Sequence, residues 1–65
     1  MNKKILHTCI DLLSRREHSR KELQQKLLLR EHDIDEIAPV LDFVINEDYL
    51  NETRFADYVF RSRVG

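Results

Sequence analysis

Apolar side chains recur every three or four positions along almost the whole chain, the spacing that lines them up on one face of an α-helix. Ile5, Leu6, Cys9, Ile10, Leu12 and Leu13 predict a first helix over about 3–16 with a broad apolar stripe. Leu23, Leu27 and Leu28 mark the inward face of a second, from Arg20 to about Glu31. Ile37, Val40, Leu41, Val44 and Ile45 mark a third, and Phe55, Ala56, Val59 and Phe60 a fourth between about Glu52 and Arg63. Only Pro39 and Gly65 interrupt these patterns. The expectation is an all-α chain whose helices form one compact unit.

Start signals fall between the runs. Ser19-Arg20-Lys21-Glu22 has the form of a capping box. In it the serine hydroxyl accepts from the Glu22 amide while the Glu22 carboxylate accepts from the Ser19 amide. Glu22 and Lys26 are spaced to pair on the outer face, and His18, just ahead of the cap, reads as a boundary residue. Asp33, with Asp35 and Glu36 behind it, repeats the start signal for the third helix. Pro39 cannot donate a backbone hydrogen bond, so that helix is expected to start nearer Asp35 or to bend in its first turn. Asn46–Leu50 reads as a turn, and Asn51 as the cap of the fourth helix.

Size limits what the chain can do. At 65 residues it holds one small domain of modest stability. With 42% apolar and 35% charged residues it is too apolar for a disordered tail and too charged for a membrane segment. No apolar run approaches a membrane span, and no secretory signal opens the chain, so a cytoplasmic location is expected. The single cysteine, Cys9, lies within an apolar stripe and reads as a packing residue. The net charge of −1 hides a split, with +4 over residues 1–32 and −5 over residues 33–65. Such a split suits steering toward a charged partner, self-complementary packing or a solvated surface.

No nucleophile with a base, no carboxylate pair in an apolar setting, no glycine-rich phosphate loop and no metal-ligand spacing is present, so an enzyme and a bound cofactor are not expected. What remains is a surface. Arg15, Arg16, Arg20 and Lys21 cluster at the first helix junction, and Arg61 and Arg63 close the fourth helix, where cations complement the dipole. These six are either solvated helix ends or the docking residues for a partner bearing acids or phosphates. A winged-helix DNA-binding module shares the short helix, turn and second helix. Against it, the third helix carries acids and no Lys or Arg between Asp33 and Glu47, and the chain after Leu50 reads as helix.

At LLSRREHSRKELQQKL (12–27) and VLDFVINEDYLNETRFADYVFRSR (40–63) the sequence resembles the RecX family, bacterial regulatory proteins that act on the RecA recombinase. The most specific runs are R-E-H-S-x-x-E-L (Arg16–Leu23) and D-Y-L-N-E-x-R-F-A…R-S-R (Asp48–Arg63). The resemblance implies tandem three-helix repeats, with residues 1–48 the first repeat and 49–65 the opening helix of a second, truncated one. It implies a non-catalytic role in recombination and the SOS response. That role is binding RecA and its single-stranded DNA filament and lowering strand exchange and coprotease activity, with at most weak direct contact to nucleic acid. Arg15, Arg16, Arg20, Lys21, Arg61 and Arg63 are then expected to supply charge complementarity. Where the family usually has glycine near the ends of helices two and three, this chain has Glu31 and Asp48, and Ile34 replaces a frequent proline. A fourth helix without the rest of its repeat is expected to fold back on the first three, or to pair with a second copy through residues 52–63. A winged-helix DNA binder and an inert folded fragment are the alternative readings.

Overall fold

The computed structural model of the chain describes residues 1–64. Among these it has four helices and no strand: α1 (Lys3–Arg15), α2 (Arg20–Leu29), α3 (Ile34–Asn46) and α4 (Glu52–Val64). α3 is central and packs against both α1 and α2. Its apolar face, Ile37, Val40, Leu41 and Val44, meets Ile5 and Cys9 of α1 and Leu23 and Leu27 of α2. Leu50, just beyond α3, closes this core at 1% exposure. Leu6, Leu13 and Phe43 pack around its edge. Truncating a fully buried leucine such as Leu27 to alanine removes its transfer energy and leaves a cavity, a loss of about 2–5 kcal/mol. That is a large share of the stability available to so small a domain.

The apolar faces differ from the sequence expectation at their edges. Leu28 is 43% exposed and Phe60 67% exposed, Ile10 and Ile45 also face solvent, and Ala56 is exposed. A helix face of regular spacing leaves the flanking positions ambiguous, and here α3 covers only the central positions of each neighbour. No residue of 52–63 is buried, and Phe55 and Val59 are half-buried.

Local chemistry sets the ends. α1 starts at Asn2, whose side chain accepts from the Ile5 amide at 3.2 Å. α2 starts at Ser19, whose hydroxyl accepts from the Glu22 amide at 3.1 Å. The reciprocal half of the expected capping box does not form, because the Glu22 carboxylate is taken by Arg16. α3 starts at Ile34 and runs through Pro39, and Asp33 precedes it in extended geometry without a side-chain cap bond. Asn51 caps α4 by accepting from the Arg54 amide at 2.9 Å.

α2 and α3 end alike. The Glu31 and His32 amides donate to Leu28 and Leu27 carbonyls, and the Asp48 and Tyr49 amides donate to Ile45 and Val44 carbonyls. Both are Schellman terminations, which need a left-handed residue. Glu31 at φ 67° and Asp48 at φ 64° occupy those positions. α2 therefore stops at Leu29, short of the expected Glu31.

Candidate functional site

The stretch from Arg15 to Leu23 folds into a polar junction between α1 and α2. Arg16 leaves α1 in an extended conformation, which turns its guanidinium toward α2. There it forms a two-pronged bond to Glu22 and donates to the Glu17 carbonyl at 2.9 Å. This fork holds the Glu22 carboxyl below its ordinary range and raises the Arg16 guanidinium further.

His18 fills the space beneath. It is 1% exposed, with Nδ1 3.0 Å from the Arg16 carbonyl and Nε2 2.9 Å from Lys26 Nζ. An ammonium only donates, so Nε2 accepts and Nδ1 carries the proton given to the carbonyl. Burial lowers the His18 pKa, and the Lys26 and Arg16 cations lower it too, against an opposite pull from the Arg16 carbonyl and Glu22. His18 is thus a neutral buried strut. The expected Glu22–Lys26 pair is replaced by Arg16–Glu22 and Lys26–His18.

α4 approaches the same junction. Arg54 donates to Glu17 at 3.1 Å and to Asp48 at 3.0 Å, and also to the Asp48 and Tyr49 carbonyls. The Glu52 carboxylate accepts from the Arg20 amide at 2.8 Å, supplying an acceptor at the start of α2. The Arg16 guanidinium lies 6.0 Å from the Tyr58 ring centre, at the edge of cation–π range.

The six cations singled out from sequence fall into three kinds. Arg16 and Arg20 are held within the fold, Arg20 by Asp42 at 2.8 Å. Arg15 and Arg61 form surface pairs one turn back with Asp11 and Asp57, both at 3.1 Å, and such pairs contribute little. Lys21 and Arg63 are exposed and form no ion pair among the described residues. His18, Lys26, Glu17, Glu52 and Arg54, by contrast, are not among those candidates, although all but Lys26 lie in the two most specific runs of the resemblance, Arg16–Leu23 and Asp48–Arg63. Among the described residues no group of His, Cys, Asp or Glu is placed to hold a metal ion, and no helix is long and apolar enough to cross a membrane.

The family model for RecX, first three-helix domain, matches residues 6–43, from α1 to within α3. This chain belongs to the RecX family. Relatives named regulatory protein RecX include that of Halorhodospira halophila, 53% identical over 82% of this chain and 33% of its own length. Those of Ralstonia nicotianae and Xanthomonas axonopodis pv. citri are 47% and 46% identical, over 78% and 86% of this chain and 32% and 35% of their own. The chain therefore spans about a third of the length of the RecX relatives it matches. No solved structure matches it. The two RecX-like runs, Arg16–Leu23 and Asp48–Arg63, are the two sides of one contact, joined by Glu17–Arg54, Arg20–Glu52 and Arg16–Tyr58.

Proposed function

We propose that this chain is a non-catalytic regulatory module that binds RecA and the RecA–single-stranded DNA filament and lowers recombinase activity. Residues 1–48 serve as its first three-helix repeat, and 49–65 as the opening helix of a second. Membership of the RecX family carries this reading, together with the name regulatory protein RecX borne by its relatives. A module of this kind acts by binding one arrangement of the filament better than another, since equal affinity for both shifts nothing. Arg15, Lys21, Arg61 and Arg63 supply the exposed charge for docking, and Arg16 and Arg20 shape the junction that presents it.

Fluorescence anisotropy of the labelled chain, titrated against preformed RecA filaments with bare oligonucleotide as control, tests the reading. Saturable binding to filaments alone supports it. Binding to neither ligand refutes it for this chain, and binding to bare duplex with a steep salt dependence favours the winged-helix alternative. Lys21→Glu together with Arg63→Glu is expected to weaken filament binding while α1, α2 and α3 stay folded. Self-association through residues 52–63 is a second reading, favoured by Phe60 at 67% exposure; a monomer by light scattering at high concentration removes it.

A further inference from the structure

α4 is attached differently from the other helices. Each of α1, α2 and α3 contributes at least two residues with no exposed surface, such as Ile5 and Cys9, Leu23 and Leu27, and Val40 and Val44. Within 52–63 no residue is buried. What joins α4 to the preceding helices is mainly polar: Arg54 to Glu17, Glu52 to the Arg20 amide, and Arg16 over Tyr58. The side chains of the Arg54–Glu17 pair are 42% and 29% exposed, so the pair is open to screening by salt. The chain enters α4 directly after Leu50, buried in the core, and Asp48, held in the left-handed conformation.

We infer that α4 is a latched arm. It pivots just after Leu50 and opens as a unit from the α1–α2 junction while α1, α2 and α3 stay folded, with the Glu17–Arg54 and Arg20–Glu52 contacts as the latch. Local opening of this sort is governed by the contacts it breaks and not by the whole core. Half-burial of Phe55 and Val59 favours the closed state, and the polar contacts make its population depend on ionic strength. If the proposed function holds, the basic group at Arg15–Lys21 and that at Arg61–Arg63 sit on two bodies whose separation is adjustable. The latch itself needs no partner and is tested without one.

The test is native-state amide hydrogen exchange on the intact chain, raising NaCl from about 20 mM to about 500 mM so that the screening length falls from about 20 Å to about 4 Å. A detached helix of 13 residues is marginal in water and unwinds, so protection of the amides from Ala56 to Arg61 is expected to fall about threefold, the scale of one exposed pair, while Leu27, Leu41 and Val44 keep theirs. Glu17→Gln should reproduce the loss at low salt and remove most of the salt response. Arg54→Ala should do the same, but it also breaks the contact with Asp48, so Glu17→Gln is decisive. Loss of protection in step between α4 and the core, or no response to either salt or Glu17→Gln, would overturn the latch.

Discussion

Glu31→Gly should stabilise this protein, although it deletes a side chain. Glu31 is exposed, sits at φ 67° and ends α2 in a Schellman motif, so the backbone there is fixed by the Leu27 and Leu28 carbonyls it must satisfy. A residue with a Cβ in this conformation carries a penalty of about 1–2 kcal/mol. Glycine removes that penalty and adds an unfolded-state entropy cost of roughly 0.5–1 kcal/mol. The net gain is about 0.5–1 kcal/mol, and for a domain of this size it raises Tm by roughly 2–8 °C. Glu31 also places a negative charge at a helix C-terminus, where the dipole disfavours it by about 0.3–1 kcal/mol. Glu31→Ala removes the same charge but keeps the Cβ, so the difference between the two variants isolates the backbone. Thermal melts followed by far-ultraviolet circular dichroism are sufficient. Equal Tm values for Glu31→Gly and Glu31→Ala would show that the left-handed penalty is no larger than glycine's entropy cost, and the predicted net gain would fail.

Pro39→Ala should raise stability by about 1–3 kcal/mol, since Pro39 is exposed within α3 and alanine restores a donor to the Asp35 carbonyl; an unchanged denaturant midpoint would count against it. Acid should weaken the fold in two stages. His18 has a lowered pKa in the folded state, so below its ordinary 6.5 the unfolded chain binds the extra proton and stability falls as pH falls. Glu22, held low by Arg16, adds stability above its ordinary 4.5 that is lost on further acidification. Urea midpoints measured from about pH 7.5 down to about pH 5.5 should decline in the parent and stay nearly flat in His18→Gln; the same slope in both removes His18 as the cause. The Cys9 thiol, pushed up to about 11 by burial, should react with an alkylating agent at least ~100-fold more slowly in native buffer than in denaturant. Native labelling as fast as denatured would place Cys9 outside the core.

What could be read from the sequence was what depends on neighbours along the chain. The inward positions Ile5, Cys9, Leu23, Leu27, Ile37, Val40, Leu41 and Val44 follow from helical spacing, and the Ser19 and Asn51 caps from side chains that reach only to the next turn. Errors arose where a more distant group won. The i, i+4 rule pairs Glu22 with Lys26, both in α2, but Arg16, the extended residue that ends α1, reaches Glu22 from outside that helix. His18 read as a boundary residue because nothing local shows that Lys26, eight residues on, caps its ring. Arg54 and Glu52 find partners 37 and 32 residues away, a distance at which local patterns carry no information. The six candidate cations were identified as charges, and sequence alone did not separate those the fold occupies from those it leaves exposed.

That separation bears on how a charged partner can be bound. Engaging Arg16 requires giving up its fork with Glu22, whose side chains are 33% and 30% exposed, and leaving Glu22 beside the buried His18 with less compensation. Engaging Arg20 competes with Asp42. Lys21 has no such bond to surrender among the described residues, so its full charge is available at the first encounter. Binding energy and fold stability therefore compete at Arg16 and Arg20 and are independent at Lys21. A partner that does recruit Arg16 loosens the contact with Tyr58 as well, so recognition at the α1–α2 junction and the closed position of α4 oppose each other. By linkage, whatever favours the open arm then favours that mode of binding to the same degree.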